Sequence, residues 1–320
     1  MRSLCAAVSF TCLGLLLVCG PAGSGSPPAF IGFWGDLGTG PGQFDHPFGI
    51  AVDSDGFVYV TDQHNFRVEK FRSDGTFVGE WPTGYNTYPS GIAVGPNGLV
   101  YVVMNHTHVV DTYTKDGVFM GTIGSPGYDS GQFIYPVAVA TDAAGYVYVT
   151  DTGNDRVEKF TSGGAWLKTW GATGPMPGQM IQPYGITVDA FGTIYVAEGA
   201  GARIQKFDSE GNLIGQIGSP GVGDGQFLGA EGMVVTGGVL YACDTADNRL
   251  EKFTDSGSFL TKWGSLGTGS GQFHTPSGVA ISGYGDIIVA EWDNARLQLF
   301  NDTATPAHHG TWGQLKSRYR

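Results

Sequence analysis

Short apolar stretches separated by glycine-rich turns run through most of the chain. In the clearest stretch, Pro47–Asp53 and Phe57–Val60 are almost continuously apolar, whereas Arg67–Phe71 and Phe77–Trp81 mix charged and apolar residues. Continuous apolar runs of this length are typical of strands buried on both faces, and mixed runs are typical of strands nearer solvent. The Asp-Gly pair at 55–56 favours a tight hairpin turn between the first two runs. This stretch therefore predicts four antiparallel strands.

The same pattern is repeated along the chain. Six copies begin at intervals of 42, 47, 47, 47 and 46 residues, at Pro47, Pro89, Pro136, Pro183, Ala230 and Pro276. Repeats of this length, built from short strands and glycine turns, indicate propeller blades, because helical repeats would show a 3.6-residue periodicity. We therefore predict an all-β protein that folds as a six-bladed β-propeller of four-stranded antiparallel blades.

The repeated motif also has a family resemblance. A Gly-Gln-Phe or Gly-Gln-Met segment precedes each inner strand except the second, and the pattern GQFxxPxGIAVDxxGxVYVTDxxNxRVxKF resembles the NHL repeat. The resemblance covers about nine tenths of the chain and implies a six-bladed NHL propeller. It does not imply one function, because similar propellers serve as lyases, RNA-binding domains, sensor domains and protein-binding platforms.

Either end of the repeat region could supply the strand that closes the ring. The fourth-strand pattern occurs seven times for six inner strands, so one copy is surplus, and the two candidates for the sixth blade are Phe30–Gly35 and His308–Gly313. We predict that Phe30–Gly35 pairs beside Leu297–Phe300, because an N-terminal strand among C-terminal strands leaves no exposed seam. His308–Gly313 is then an added edge strand or a tail. The predicted propeller spans residues 30–313, followed by a basic tail at 314–320.

Residues 1–29 have the layout of a signal peptide and a small-residue linker. One arginine is followed by the apolar run Leu4–Val18, which is short for a bilayer-spanning helix, and then by small residues. We predict a secreted or extracytoplasmic protein, with retention of the leader or lipidation of Cys19 as routes to membrane attachment. Only Cys243 follows the leader, so we expect a small buried side chain rather than a disulfide framework.

Composition narrows the classes of partner. The chain has 53 Gly, 16 Pro and 41% hydrophobic residues, enough apolar surface for one large core. Its 29 acidic and 17 basic residues give a net charge of −12, which disfavours nucleic acid as a partner. We expect a monomer that binds a protein, peptide or glycan.

A charged pair recurs at a fixed spacing. An acid and an arginine stand five residues apart in five repeats, at Asp62 and Arg67, Asp151 and Arg156, Glu198 and Arg203, Asp244 and Arg249, and Glu291 and Arg296. In the second repeat both charges are missing, since Met104 and Val109 stand at these positions. Because the acid and the arginine are lost together, we interpret them as structural ion pairs rather than as an arginine-lined face that binds a ligand.

Candidate catalytic chemistry belongs at the mouth of the central channel. The second residue of each inner strand is predicted to face the axis. These six residues are Phe48, Ser90, Val137, Tyr184, Glu231 and Ser277. The resemblance implies that peptide-amidating lyases of the family hold zinc with histidines at such positions. None of the six is histidine, and a catalytic zinc needs about three protein ligands. We therefore predict no catalytic residue, metal or cofactor.

Histidines and acids elsewhere give weaker metal signals. If Asn105–His108 is extended, His106 and His108 lie on one face and could chelate a metal, but two ligands favour a solvated loop instead. His308-His309 has the same ambiguity. The segment at 53–56, Asp-Ser-Asp-Gly, suggests a turn rather than a calcium loop, because other repeats carry similar turns there.

The predicted function is that of an exported, non-catalytic binding or sensor scaffold. Variable loops on a rigid ring commonly carry binding sites. The second repeat is short, lacks the Gly-Gln-Phe segment and displays Tyr85, Tyr88, His106 and His108, so we predict a binding surface there, with neutral drift as the alternative. Phe48, Tyr184 and Glu231 are further binding candidates. A metal-dependent lyase or hydrolase at the channel mouth around Tyr184 and Glu231 is the alternative function.

Overall fold

The computed structural model describes residues 25–302, which form a ring of six four-stranded antiparallel sheets. The first strand is Ala29–Trp34 (β1), and blades 1 to 3 contain Pro47–Val52 (β2), Phe57–Asp62 (β3), Arg67–Arg72 (β4), Phe77–Pro82 (β5), Pro89–Val94 (β6), Leu99–Met104 (β7), Val109–Thr114 (β8), Phe119–Ile123 (β9), Pro136–Thr141 (β10), Val147–Asp151 (β11), Arg156–Phe160 (β12) and Trp166–Trp170 (β13). Blades 4 to 6 contain Pro183–Val188 (β14), Ile194–Glu198 (β15), Arg203–Phe207 (β16), Leu213–Ile217 (β17), Ala230–Thr236 (β20), Val239–Asp244 (β21), Arg249–Thr254 (β22), Phe259–Trp263 (β23), Pro276–Ile281 (β24), Asp286–Glu291 (β25) and Arg296–Asn301 (β26). A short parallel pair, Ser219–Pro220 (β18) and Gln226–Phe227 (β19), and two single 3-10 turns, Thr152–Asn154 and Thr245–Asp247, complete the elements.

The predicted fold class is confirmed: six antiparallel blades surround a central channel. Each inner strand contacts the inner strands of both neighbouring blades, so the ring is closed. Residues 1–24 of the predicted leader and linker at 1–29, together with His308–Gly313 and the basic tail, lie outside the described residues. Among residues 25–302, none of the helical turns is long and apolar enough to cross a bilayer.

The ring closes through β1. This strand pairs antiparallel with β26, with Phe30 opposite Phe300 and Trp34 opposite Leu297. The predicted position of Phe30–Gly35 in blade 6 is therefore the observed one. Strands from both ends of the described chain share one sheet, which leaves no unpaired seam between the first and last blades.

The core lies between the blades. The second strand of each of the first five blades buries a tyrosine almost completely, at Tyr59, Tyr101, Tyr148, Tyr195 and Tyr241. The Gly-Gln-Phe segments belong to this core, because their final residues Phe44, Phe133, Met180, Phe227 and Phe273 are fully buried. Cys243 is also fully buried, as the sequence predicts.

Each Gly-Gln-Phe segment closes the loop that leads into an inner strand, which we call the lead-in loop. In the first of these loops, residues 36–46, the side-chain Oε1 of Gln43 accepts a hydrogen bond from the Gly40 N–H at 3.0 Å. The preceding Gly35 has a φ of +84°, and a Cβ there would lie 2.5 Å from the Phe44 ring. Glycine is therefore required where the chain leaves β1 and passes over the buried ring.

The structure brings together all five acid–arginine pairs. The shortest nitrogen–oxygen distances are 2.8 Å for Arg67 and Asp62, 2.7 Å for Arg156 and Asp151, 2.7 Å for Arg203 and Glu198, 3.1 Å for Arg249 and Asp244, and 2.6 Å for Arg296 and Glu291. Each arginine also donates to backbone carbonyls of its own lead-in loop. Arg156, for example, donates to the carbonyls of Tyr128, Asp129 and Gln132 at 2.8 to 2.9 Å. The pair therefore fastens this loop to the blade.

Blade 2 lacks both the loop and the pair. Its inner strand follows β5 after six residues, and the segment at 83–88 contains no Gly-Gln-Phe. Met104 and Val109 are directly opposite each other in the ladder, at the positions of the acid and the arginine. Without the loop, an arginine at 109 would have no loop carbonyls to bind. The joint loss therefore has a structural cause.

Candidate functional site

The central channel contains a small cavity. The inner strands enclose a volume of about 80 Å³, and its wall includes Phe48, Tyr184 and Glu231. A space of this size holds several water molecules but does not enclose a sugar ring or a peptide. A larger ligand could therefore reach these residues only from the channel mouth.

The inner-strand residues do not all face the axis. The prediction is wrong for Ser90, which is 2% exposed and lies outside the cavity wall. Its hydroxyl donates to the carbonyl of Val137 at 2.9 Å. Ser277 likewise donates to the carbonyl of Pro47 at 3.0 Å. Both serines join neighbouring inner strands, because a buried hydroxyl needs a partner and the next strand supplies one.

Glu231 and Tyr184 lie together in the cavity wall. Burial raises the pKa of Glu231 to about 7, while a hydrogen bond with the Thr245 side chain acts in the opposite direction. Burial, and then the charge of Glu231, raise the pKa of Tyr184. Among the described residues, no imidazole lines this cavity. The wall thus offers one carboxyl group that titrates near neutrality, but not the three ligands of a catalytic zinc site.

A row of aromatic rings occupies one face of the propeller. We call this the upper face, the side that carries the lead-in loops and the loops between the second and third strands of each blade. The row, which we call the aromatic arc, consists of Trp292, His46, His64, Tyr88, His106 and Tyr135. It runs from blade 6 through blades 1 and 2 to blade 3, and its members stand at the starts of inner strands or in the loops beside them.

The rings of the arc contact one another in sequence. Ring centroids are 4.2 Å apart for Trp292 and His46, 4.0 Å for His46 and His64, 5.5 Å for His64 and Tyr88, 4.1 Å for Tyr88 and His106, and 6.4 Å for His106 and Tyr135. Phe66 packs against both Tyr88 and Tyr85, and the Tyr85 side chain is 90% exposed. The arc is therefore a surface of rings held by their neighbours.

An Asp-His-His cluster lies within the arc. The Nδ1 of His46 is 2.5 Å from Oδ1 of Asp45, and the Nδ1 of His64 is 3.7 Å from the same oxygen. One ligating atom from each residue can be chosen so that all three lie within 4.8 Å of one another. Burial and the neighbouring His46 lower the pKa of His64, although Asp45 acts in the opposite direction. The neutral form of the His64 imidazole is therefore favoured.

The two histidines of blade 2 do not form a chelating pair. Strand β7 ends at Met104 and β8 begins at Val109, so Asn105–His108 is a turn rather than an extended segment. The His106 ring packs on Tyr88, whereas Nδ1 of His108 accepts a hydrogen bond from the Tyr135 N–H at 2.7 Å. The extended segment that a chelate would need is absent at these four residues, because the turn directs the two rings to different partners.

The remaining sequence candidates are placed as follows. Asp53 caps its hairpin, because its Oδ1 accepts hydrogen bonds from the N–H groups of Asp55 and Phe57 at 2.9 Å. This carboxylate oxygen therefore serves a turn, as predicted, and not a calcium loop. Tyr85, Tyr88 and His106 belong to or adjoin the arc. The sequence pattern did not indicate Asp45, His46, His64, Tyr135 or Trp292. Aligning the residues just before each inner strand would have shown His46, Tyr88 and Tyr135 in three consecutive repeats.

Comparison with known proteins identifies the repeat. The model of the NHL repeat family matches residues 44–71, the lead-in loop end and first strands of blade 1. Over 55 residues the chain is 40% identical to NHL repeat-containing protein 3 of Homo sapiens. That match spans 16% of this chain and 16% of the human protein.

Solved structures share the fold. A catalytically inactive virginiamycin B lyase from Staphylococcus aureus, solved with quinupristin, is 18% identical, with 82% of each chain covered and a TM-score of 0.59. A gluconolactonase from Xanthomonas campestris is 17% identical, with 88% of this chain and 97% of that chain covered and a TM-score of 0.62. At these identities the likeness concerns the fold and not the activity. The chain therefore carries an NHL repeat in blade 1 and folds as a six-bladed β-propeller.

Proposed function

We propose that the protein is an exported binding propeller without chemistry of its own, and that its aromatic arc binds a protein, peptide or glycan. The arc is the observation that carries this proposal, because it presents adjoining rings from four blades on one face. Aromatic side chains give much contact area for little loss of conformational entropy, and they are enriched at the centres of binding surfaces.

The chemistry of the arc suits a ligand with both apolar and polar groups. Tyrosine hydroxyls and imidazole nitrogens lie at the edges of the rings, and Tyr85 and Tyr135 are 90% and 53% exposed. Such rings can pack on the apolar face of a sugar or peptide side chain while their edges form hydrogen bonds. The antiparallel blades beneath hold the arc on a rigid frame, which reduces the ordering cost of binding.

Binding to peptide and glycan arrays tests this proposal, followed by titration of the best ligand. The triple variant Tyr85→Ala, Tyr88→Ala and His106→Ala is expected to weaken binding at least about tenfold, as loss of central aromatic contacts does elsewhere. Phe191→Ala is the matched control, because Phe191 is 92% exposed in a hairpin on the opposite face. Unchanged binding by the triple variant, or an equal loss in the control, would contradict the proposal.

Export is supported by the apolar run and small residues before Phe30. Expression of the full chain in a secreting host should give a mature protein in the medium that begins between Gly23 and Phe30. The alternative function, a metal-dependent lyase or hydrolase at the channel mouth, has less support, because Glu231 is the one carboxylate among the described cavity residues.

A further inference from the structure

We propose that Asp45, His46 and His64 form a site for a divalent transition-metal ion of the zinc class. This site lies on the upper face, outside the channel. It does not depend on the proposed ligand, because it rests on the three side chains alone.

The distances between the candidate ligand atoms suit one ion. Zinc binds imidazole nitrogen and carboxylate oxygen at about 2.0 to 2.2 Å, so two ligands of one tetrahedral ion lie roughly 3.3 Å apart. The separations of 2.5 Å and 3.7 Å from Oδ1 of Asp45 to the two Nδ1 atoms bracket that value. Small side-chain rotations would therefore complete the coordination.

Backbone hydrogen bonds already hold the ligand-bearing loops together. The Gln63 N–H donates to the carbonyl of His46 at 3.2 Å, and the His64 N–H donates to the carbonyl of Asp45 at 3.0 Å. The Asp45 N–H donates to Oδ1 of Asp62 at 2.7 Å. Because the site is formed before the ion binds, little of the binding free energy is lost in ordering the chain.

Trp292 forms one wall of the site. Its Nε1 donates to Oε1 of Gln63 at 3.1 Å, and its ring lies 4.2 Å from that of His46. Side-chain exposures of 35% for Asp45, 27% for His46 and 34% for His64 leave the opposite side open to solvent. Three protein ligands with one open position are typical of exchangeable or catalytic zinc sites, as opposed to closed structural ones.

The type of donor selects the class of ion. Two imidazoles and one carboxylate suit zinc, copper or nickel, whereas calcium and magnesium prefer oxygen ligands throughout. We therefore expect zinc to bind and calcium to bind weakly or not at all.

The other repeats show that the fold does not require these side chains. The position of His46 is occupied by Tyr88 in blade 2 and Gln182 in blade 4, and that of His64 by His106 in blade 2 and Ala246 in blade 5. Blade 6 has a related pair, with Nε2 of His274 3.4 Å from Oδ2 of Asp293, but Thr275 stands where a second imidazole would be needed. Of the described blades, blade 1 assembles a full set.

Calorimetric titration with zinc chloride tests the proposal, using the full mature protein without a histidine tag after treatment with EDTA. We expect one bound ion per chain. The variants His46→Gln and His64→Ala should each weaken binding at least about tenfold. Both introduce residues that other blades carry at the same positions, so folding should be preserved. Thermal unfolding in EDTA checks this.

His106→Ala is the matched control, because His106 occupies the corresponding position in blade 2 and belongs to the arc but not to the cluster. It should bind zinc like the wild type. The proposal would be overturned by absence of zinc binding to the wild type, by an equal loss in the control, or by binding that is lost on changing His308 and His309 instead. Calcium binding in preference to zinc would also overturn it. If zinc does not bind, the proposal that the arc binds a protein, peptide or glycan is unaffected. The triple variant that tests ligand binding leaves Asp45, His46 and His64 unchanged.

Discussion

Glu231 shows how a single residue in the channel can make stability depend on pH. Its pKa is raised from 4.5 to about 7, chiefly by burial. Between these values the unfolded chain loses the proton while the folded protein retains it, so the folded state binds more protons. The free energy of unfolding therefore falls as pH rises from about 4.5 to 7, and the cost is complete above pH 7.

Glu231→Gln should remove this cost. We expect the variant to be roughly 1–3 kcal/mol more stable than the wild type at pH 8, with a difference that shrinks toward pH 4.5. Urea unfolding at several pH values measures this difference. A difference that is the same at every pH would show that Glu231 does not titrate in this range in the folded protein.

At the scale of the element, the lead-in loop and the acid–arginine pair form one unit. Arg156 holds Oδ2 of Asp151 at 2.7 Å and donates to three carbonyls of its loop. Asp151 in turn accepts from the Ile134 N–H at 2.7 Å and from Asn154 at the same distance. The two charges therefore contribute more than a contact across a hairpin. They position the loop that leads into β10, the inner strand of the same blade.

Arg156→Ala should destabilise the protein by roughly 1–3 kcal/mol, because it leaves a buried carboxylate without its cation. Asp151→Asn should reduce that loss when the two changes are combined. Denaturant unfolding of the four proteins in a double-mutant cycle measures the coupling. Additive effects would show that the pair does not act as a unit.

At the scale of the whole molecule, stability depends on ring closure. Strand β1 covers the edge of β26, and the Phe30 ring packs edge-on against that of Phe300 at 5.9 Å. At the other end of the described chain, Oδ2 of Asp302 lies 2.6 Å from Nζ of the fully buried Lys252. A chain that ended at Asn301 would lose this carboxylate as well as the tail. To test the tail alone, the C-terminal truncation should therefore end after Asp302.

A protein that starts at Asp36 should therefore lose much more thermal stability than one that ends at Asp302. Removing β1 exposes the edge of β26 and the apolar side chains beneath it, whereas the later cut leaves every described strand in place. Differential scanning calorimetry compares the midpoints. If the second truncation were the more damaging, the segment after 302 would have to close the ring.

The fold was predictable because its information is local and repeated. Strand runs, turn pairs and the five-residue spacing of acid and arginine each involve residues close in sequence, and six copies make the pattern clear. The surplus fourth-strand motif even indicated which strand closes blade 6. Spacing alone did not decide whether the His106 and His108 rings share a face, because their direction depends on the backbone conformation of the turn at 105–108.

The candidate site was decided by the tertiary structure. Trp292 and His46 are far apart in sequence and meet only because the ring places blade 6 beside blade 1. Asp45, His46 and His64 converge because backbone hydrogen bonds join a lead-in loop to the loop between β3 and β4. The sequence by itself thus determined the blades, their number and their order. Which side chains share the upper face depended on closure of the ring, since closure brings together loops that no local pattern relates.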